Sequence, residues 1–279
     1  MNIIIATNID HNYWNTKHHG FIDSVVKHAK ENRIILMLMN DGTPGGPLSG
    51  YNIPSKIETV TIDTNSINYS RHVNLKSSFP DRPNYICLES GEFVDFINFN
   101  DNDILILCDW DVIMQRGFTE KELKIINNLG AMEFGQCRDH YDPKKSTRIY
   151  REGNLLYGYL EMNKIFNDIS KNWIIYQAGV QVARISAWKR LYEYWKELAP
   201  KMYKYNREHF AGQGLFNYII QKFNMVKELP PSFHNGDWFP GTPARIINNS
   251  LYVNVDPLGT GGNEKVLFNH HNWKSLPVF

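Results

Sequence analysis

The chain has 279 residues, with 30 Lys and Arg against 29 Asp and Glu, which gives a formal net charge of +1. This near-neutral balance argues against a nucleic-acid-binding protein that neutralises phosphates with an excess of basic residues. Hydrophobic residues make up 42% of the chain and charged residues 21%, so the composition is that of a globular protein and excludes a mainly disordered one.

The cysteines and the amino-terminal residues bear on the compartment. Cys87, Cys108 and Cys137 are an odd number without C-x-x-C spacing, so they predict neither a disulfide framework nor a zinc site. The chain opens without a basic region followed by a long apolar stretch, and no run approaches the roughly 18–20 apolar residues that span a bilayer. We therefore expect a cytoplasmic protein with reduced thiols, no secretory signal and no transmembrane segment.

The amino-terminal part of the chain predicts a β-α-β unit. Ile3 to Thr7 is a short apolar run typical of a buried parallel strand, and apolar residues then recur at helical spacing from Phe21 to Ala29. Ile34 to Met39 is a second apolar strand, and Ile57 to Ile62 alternates as a third strand would. Such a unit predicts a parallel sheet with right-handed crossovers.

The middle of the chain continues this alternation of helices and strands. The strongest strand is Asp103 to Cys108, which is aliphatic between its ends and is followed by Asp109-Trp110-Asp111. The other elements predicted from periodicity and turn residues are, in chain order, a helix over Pro83–Ile97, a helix over Thr119–Asn127 capped by Thr119, a strand over Ala131–Gly135, a helix around Leu155–Ile169, strands within Trp173–Arg184, and helices over Ala187–Leu198 and Glu208–Lys222.

The carboxyl-terminal segment differs in composition from the rest. From Pro230 to Phe279, Pro, Gly and Asn become frequent and long periodic segments end. We expect this irregular tail to wrap over the domain and to close over a bound ligand as a lid. Since the chain has no internal repeat and no low-complexity linker, residues 1–279 are predicted to form a single α/β domain with a mostly parallel central sheet.

Two carboxylates follow the strand that is most clearly central. Asp109 and Asp111 are two residues apart, and in an extended segment such residues point to the same side. Ligands of open α/β sheets bind beyond the carboxyl ends of the strands, where carboxylates, waters and substrate phosphates together can hold Mg²⁺ or Mn²⁺. The alternative is that the pair only ends the strand and caps the next turn. The charge-free strand, with Trp110 between the acids, favours the metal site.

Four blocks, in order along most of the chain, resemble the GT-A class of nucleotide-sugar-dependent glycosyltransferases, particularly the glycogenin-type and related families. They are Asp109 to Asp111 (DWD), which resembles the D-x-D motif; Tyr176 to Val182 (YQAGVQV), which resembles the F-N-A/S-G-V block before a helix bearing Trp188; Gly212 to Asn217 (GQGLFN), which resembles D-Q-x-x-L-N; and Leu267 to Lys274 (LFNHHNWK), which resembles the carboxyl-terminal H-x-N-W or H-F-x-G-x-x-K block. The resemblance implies a Rossmann-like GT-A domain and specifies neither donor nor acceptor.

The resemblance also implies roles for single residues at the metal. Asp109 would contact the donor ribose and the metal, and Asp111 would ligate the metal directly. A histidine of the last block, His270 or His271, would supply a third protein ligand to Mn²⁺ (or Mg²⁺). We predict His270, because alternation along a short strand turns only one of the two histidines towards the metal.

Other residues are predicted to contact the donor. The loop after the first strand, with Thr7, Asn8, Asp10 and Tyr13, would hold the base and ribose, unless Asn8 and Asp10 only cap the following helix. Lys265 and Lys274 would contact the diphosphate, or lie in solvent as most loop lysines do.

The chain departs from the family pattern at three positions. Gln177 stands where Asn is usual, Gly212 stands where Asp usually precedes the Gln, and Cys87 lies where an Arg is frequent, which leaves Arg82 as the nearest substitute. These changes affect the predicted sugar contacts of Gln177 and Arg82 more than the metal site.

The predicted reaction is transfer of a sugar, a hexose being favoured, from a nucleoside-diphosphate-sugar to a hydroxyl of a glycan or a protein-linked sugar, with a UDP-sugar as the favoured donor. An inverting enzyme needs a general base, for which Asp237 is the candidate, beside Trp238. A retaining enzyme would instead place a polar group beneath the anomeric carbon, for which Gln213 is the candidate. The glycogenin-like resemblance tilts the choice slightly to retention.

Two other classes of function stay open from the sequence. A sugar-phosphate nucleotidylyltransferase shares the general fold, but it would have a Gly-rich loop after its first strand, and residues Asn8 to Trp14 contain no glycine. A catalytically weak or inactive relative that binds carbohydrate or nucleotide-sugar is the second alternative, because two sugar-contact positions are altered.

Overall fold

A computed structural model of the chain describes residues 1–9, 20–40, 52–63, 90–138, 165–168, 174, 176–201, 211–236, 245–248, 250–254 and 263–270. These residues form a mixed α/β fold around a seven-stranded sheet that is mostly parallel. The strands are, in chain order, β1 (Ile3–Ile9), β2 (Arg33–Asn40), β3 (Ile57–Asp63), β4 (Ile104–Cys108), β5 (Val112–Met114), β6 (Phe134–Gln136), β7 (Val180–Arg184), β8 (Val226–Glu228), β9 (His234–Gly236), β10 (Arg245–Ile247), β11 (Ser250–Asn254), β12 (Asn263–Lys265) and β13 (Phe268–His270). The α-helices of the described residues are α1 (Gly20–His28), α2 (Glu120–Asn127), α3 (Ile185–Leu198) and α4 (Ala211–Lys222).

The central sheet has the order β3-β2-β1-β4-β7-β6-β8. Strand β7 pairs antiparallel with both β4 and β6, and it is the reversed strand of this sheet. Along the chain, β2 and β3 are added on one side of β1, whereas β4 joins β1 on the other side. The strand order therefore reverses between β1 and β4, and in open α/β sheets a ligand-binding crevice lies beyond the carboxyl ends of the strands at such a point.

The sheet is buried on both faces, which explains the continuous apolar runs of its strands. In β2, Ile35 belongs to the core under α3 and α4, and its neighbour Leu36 belongs to the core under α1. The first core is centred on aromatic side chains, with the ring of Phe134 at 4.8 Å from that of Trp188 and 5.5 Å from that of Phe216. The prediction of a mostly parallel α/β sheet, with β4 at its centre, is confirmed.

Two smaller sheets involve the carboxyl-terminal segment. Strand β13 pairs antiparallel with β5 and parallel with β9, so that His270 lies opposite Val112 and Gly236. Strands β10, β11 and β12 form a second antiparallel sheet. The short strand predicted near Leu267 is thus confirmed, and the segment expected to be irregular contains five short strands in its described part. Its closure as a lid stays a prediction.

Two predicted elements differ in the structure. The helix predicted over Pro83–Ile97 is α-helical at Ser90, where the described residues begin, and continues after Gly91 only as a 3-10 helix, Glu92–Asp95. Gly91 interrupts it with a left-handed φ of +77°, and a Cβ there would lie 3.0 Å from the Trp188 carbonyl oxygen. The strand predicted over Ala131–Gly135 begins only at Phe134, because a turn precedes it in which Gly130 N donates to the Glu133 carboxylate.

The remaining predicted elements agree with the structure where it describes them. Helices α2 and α3 and the described part of α4 lie where periodicity predicts them, and β7 lies within the predicted Trp173–Arg184 region. The helix predicted around Leu155–Ile169 falls mostly outside the described residues. None of the described helices combines the length and the apolar composition needed to cross a membrane.

Helix α2 has the amino-terminal cap that the sequence predicts. The Thr119 hydroxyl accepts from Glu122 N, and the Glu122 carboxylate accepts in return from Thr119 N at 2.8 Å, which completes a capping box. We expect Thr119→Ala to lower the free energy of unfolding by about 1 kcal/mol, because Glu122 N loses the hydroxyl that accepts its hydrogen bond. Urea unfolding measures the change. Thr119→Ser keeps the hydroxyl and should retain most of the stability; equal stability of wild type and Thr119→Ala would contradict this role.

Candidate metal centre

A tight turn places the two acids at the carboxyl end of the central strand. Strand β4 ends at Cys108, and Val112 N donates to the Asp109 carbonyl at 3.1 Å. The extended geometry expected for this segment is therefore wrong, and the two carboxylates converge because the chain reverses between β4 and β5. Trp110 is buried against Phe21 of α1, with ring centroids 6.1 Å apart, and so anchors the turn to the core.

His270 reaches both carboxylates from the carboxyl-terminal segment. Its Nε2 lies 2.9 Å from Asp111 Oδ1 and 3.7 Å from Asp109 Oδ2. The side chain of His270 is 10% exposed, and those of Asp109 and Asp111 are 26% and 24% exposed. The site is therefore sheltered but open on one side, as a site that admits an ion and a substrate must be.

The donor atoms of this group fit a divalent cation. One ligand atom from each of Asp109, Asp111 and His270 lies within 4.8 Å of the other two. Neighbouring ligands of an octahedral ion with bonds of ~2.1 Å are ~3 Å apart, which is close to the separation between Asp111 and His270. The three side chains together occupy only part of such a shell, which leaves positions for waters or for ligand oxygens.

Burial makes the two carboxylates an electrostatically costly pair. Burial raises the pKa of Asp109 to about 7, the charge of Asp111 acts in the same direction, and His270 opposes both. Each negative charge therefore destabilises the other while the site holds no cation. A divalent cation held by these residues would remove this penalty, because a metal competes with protons for the same oxygens.

Two residues hold the His270 ring in position. Gly179 lies just before β7, where its carbonyl accepts from Asp109 N at 2.8 Å. A Cβ on Gly179 would lie 2.6 Å from His270 Cε1, so the imidazole packs directly on the glycine backbone. On another side, the ring of His234 stacks on that of His270 at 5.7 Å with an interplanar angle of 25°. Burial and the neighbouring His270 hold the pKa of His234 well below its ordinary value, so His234 is a neutral imidazole.

The other described residues that were predicted to form the site differ in position and in burial. Asn8 lies near the carboxyl end of β1, next to the crevice beyond β1 and β4. Thr7 is fully buried near the carboxyl end of β1, and its predicted contact with a nucleotide stays a prediction. Gln177 is only 6% exposed, and its backbone N donates to the Cys137 carbonyl at 3.0 Å. Gln213 lies in the first turn of α4, and its side chain is outside what the structure describes.

Several predicted residues lie outside the described residues altogether. They are the loop residues Asp10 and Tyr13, the cation Arg82, the proposed base Asp237, and His271 and Lys274 of the last block. Lys265, which was predicted to contact the diphosphate, lies on β12, with its Nζ 5.7 Å from the centroid of the Tyr252 ring. The structure thus brings together Asp109, Asp111 and His270 and leaves the remaining predicted contacts untested.

Two buried side-chain amides beside the metal centre were not predicted from the sequence. Gln181 pairs with Leu107 of β4, and continuation of the register between β6 and β7 puts Gln136 beside Gln181. The Gln181 Nε2 atom and both amide atoms of Gln136 are buried without a hydrogen-bond partner among the described residues. An unpaired buried polar group costs about 1–3 kcal/mol, so a ligand that hydrogen-bonds to these amides would be favoured. The sequence feature that could have indicated them is a polar residue in a short buried strand: Gln136 ends β6, and Gln181 lies within β7.

Comparison with known proteins assigns no family, since no protein-family model and no curated protein matches this chain. Any function must therefore be argued from the geometry of the metal centre and from the sequence motifs.

The contact between Gly179 and His270 yields a test of the metal centre. We expect Gly179→Ala to weaken Mn²⁺ binding by about 10- to 100-fold, because the added methyl displaces the imidazole, as changes around metal ligands generally do. Isothermal titration calorimetry measures the affinity. Gly117→Ala is the matched control, because a Cβ there meets the His28 carbonyl oxygen at an ordinary 3.4 Å.

A double variant separates this effect from general misfolding. If the methyl acts only through the ring, Gly179→Ala should cost little additional metal affinity once His270 is already alanine. Additive losses in the double variant, or unchanged affinity in Gly179→Ala alone, would contradict the packing role of Gly179.

Proposed function

We propose that this chain is a metal-dependent glycosyltransferase of the GT-A class, with a nucleoside-diphosphate-sugar, preferably a UDP-sugar, as donor. The observation that carries the proposal is the group formed by Asp109, Asp111 and His270 at the carboxyl edge of a mostly parallel sheet. The same three residues belong to two of the motifs that resemble this class, and they come from distant parts of the chain.

The position of the group in the fold supports a nucleotide-type ligand. The metal centre follows β4 and the loop with Asn8 follows β1, and these are the two strands between which the strand order reverses. A donor in this crevice would have its diphosphate at the carboxylates and its base and ribose towards the residues after β1. The amides of Gln136 and Gln181 lie on adjacent strands at the same edge, and they offer hydrogen-bonding groups to sugar hydroxyls.

The ligand set supports Mn²⁺, or Mg²⁺, as the cofactor of the proposed enzyme. Two carboxylates suit a hard divalent cation, and one neutral imidazole is a reasonable ligand of Mn²⁺. When bound, such a cation supplies Lewis-acid stabilisation of the negative charge that develops on the departing nucleoside diphosphate.

The residues of this chain would contribute mainly by binding and orientation. Asp109 and Asp111 hold the cation and so fix the diphosphate beside the sheet, and Gly179 and His234 keep the His270 ring in the same place. Holding donor and acceptor in one site removes much of the entropic barrier to transfer. A general base from Asp237 would give inversion, and a polar group from Gln213 beneath the anomeric carbon would support retention; both stay open.

The acceptor side of the proposal is a hydroxyl of a glycan or of a protein-linked sugar, and a hexose is the favoured sugar transferred. The free thiols of Cys108 and Cys137 agree with a reducing, cytoplasmic compartment, which we include in the proposal.

Metal-dependent breakdown of the donor tests the proposal. A panel of UDP-, GDP- and CDP-sugars with Mn²⁺ should show slow release of nucleoside diphosphate with at least one donor, and a chelator should abolish it. Asp111→Asn should lower this rate by at least about 100-fold, since loss of ~3 kcal/mol of charge stabilisation has that effect. Asp101→Asn is the matched control. Asp101 is an exposed carboxylate remote from the metal centre, and its Oδ1 lies 2.6 Å from Lys189 Nζ.

The outcomes separate the classes of function. Binding of a nucleotide-sugar without release of the nucleotide would indicate a binding protein, and formation of a nucleoside triphosphate from pyrophosphate would indicate a nucleotidylyltransferase. Full turnover in the presence of a chelator would contradict the metal-dependent mechanism.

The two neighbouring histidines give a second test of the same site. His270→Ala should raise the Mn²⁺ concentration needed for half-maximal donor hydrolysis by about tenfold or more, because one of three protein ligands is lost. His271→Ala should change this concentration much less. A larger effect of His271→Ala would show that the register of β13 at the metal is wrong, and two silent variants would show that no histidine binds the metal.

A further inference from the structure

We propose that a second cleft, separate from the metal centre, binds a small dianion of the phosphate class. This basic cleft is defined by Lys27 and His28 at the end of α1, Gln115 and Arg116 after β5, Ser250 of β11 and Lys265 of β12. It encloses about 260 Å³, and none of the described residues that line it is acidic. The inference does not depend on the proposed transferase activity.

The charges around the basic cleft favour an anion. Arg116 is held by Glu122 through two hydrogen bonds, of 2.7 Å to Oε2 and 2.5 Å to Oε1, so its charge is largely offset. Lys265 then leaves an excess of positive charge among the described residues that line the cleft. Lysine ammonium groups bind phosphates as point charges, and such charge-assisted hydrogen bonds are roughly twice as strong as neutral ones.

The nearest acid on the same strand does not neutralise Lys265. Glu264 forms an ion pair with Lys121 and accepts from Ser232 Oγ at 2.7 Å. Successive residues of a strand point to opposite faces, which accounts for the separation of Glu264 from Lys265. Lys265 instead lies over Tyr252, its partner in the register of β11 and β12.

Arg116 is fixed before any ligand arrives and keeps a donor unused. Besides its bonds to Glu122, its Nη2 donates to the Lys265 carbonyl at 2.8 Å, which joins two walls of the cleft. The Arg116 Nε is buried without a hydrogen-bond partner among the described residues. A side chain already held in one geometry loses little conformational freedom on binding, so the ordering cost of a ligand here is small.

The neutral groups of the cleft set its preference for a small ligand. The Gln115 amide and the Ser250 hydroxyl can hydrogen-bond to phosphate oxygens or to an attached hydroxyl group. Pockets for larger organic ligands enclose roughly 300–1,000 Å³. The basic cleft is smaller, which favours inorganic phosphate or a small phosphorylated compound over a nucleotide-sugar.

The basic cleft and the metal centre lie at opposite ends of the same two strands. Asp111 precedes β5 and Gln115 follows it, so four residue steps along an extended strand separate the two sites by roughly 13 Å. Likewise, His270 is the last residue of β13, at the metal centre. Leu267 precedes the first residue of β13, at the basic cleft, and its carbonyl accepts from Gln115 N at 2.8 Å. An anion in the basic cleft would therefore not be a ligand of the metal.

Calorimetric titration of the full chain with inorganic phosphate tests the proposal. A chelator is present throughout, so that a metal–phosphate complex at the metal centre cannot contribute. We expect saturable binding that Lys265→Ala weakens by about tenfold, whereas Lys265→Arg retains it because the charge remains. Lys189→Ala is the control, since Lys189 is an exposed lysine that pairs with Asp101 outside the cleft.

The same titration with a hexose phosphate identifies the source of the dianion. Tighter binding of the hexose phosphate than of phosphate would support a phosphorylated metabolite as the ligand, and equal or weaker binding would support free phosphate. Absence of saturable phosphate binding overturns the proposal. So does an equal loss in Lys265→Ala and Lys189→Ala, because general surface attraction would then account for the signal.

Discussion

The pairing of β13 with β5 is the constraint on which the candidate metal centre depends. Strand β5 begins directly after Asp111, and β13 ends with His270, so their antiparallel register sets the histidine beside the carboxylates. The imidazole can take this position only because Gly179, just before β7, has no side chain where the ring packs. One absent methyl group thus permits three distant segments to meet.

The close approach of these ionisable groups costs the fold some stability. Two carboxylates and two imidazoles sit close together in a sheltered place, and burial pushes Asp109 towards its protonated form and His234 towards its neutral form. Hydrophobic anchors offset that cost locally: Trp110 packs on Phe21, and Phe268 of β13 packs 6.0 Å from the ring of Phe233. The acids are therefore held close to each other by apolar contacts made by their sequence neighbours, and a cation is the species that relieves their repulsion.

Local patterns predicted the parts of this structure that depend on neighbouring residues. The aliphatic run of β4 and the Thr119 capping box follow from burial and from backbone hydrogen bonding over a few residues, and both are where the sequence places them. The sequence could not show the turn at Asp109 or the interruption at Gly91, because both depend on what lies opposite in space. Gly91 is opposite the Trp188 carbonyl and Gly179 is opposite His270, and no spacing rule connects those positions. The last motif offered His270 or His271 and strand alternation selected His270, but the contact that fixes its ring became visible only in three dimensions.

The net charge of the chain likewise does not show how charged side chains are distributed in the structure. A total of +1 indicates no strong preference for any charged partner, yet the charged side chains at the two ends of β5 and β13 differ in sign. One end of the β5–β13 pair carries Asp109 and Asp111, and the other end borders the basic cleft with Lys27 and Lys265. Fields in clefts act over about a Debye length, ~8–10 Å, so each end presents its own sign of charge to a ligand. Because both ends are built on the same hydrogen-bonded strands, the pairing that assembles the candidate metal centre also fixes the wall of the basic cleft.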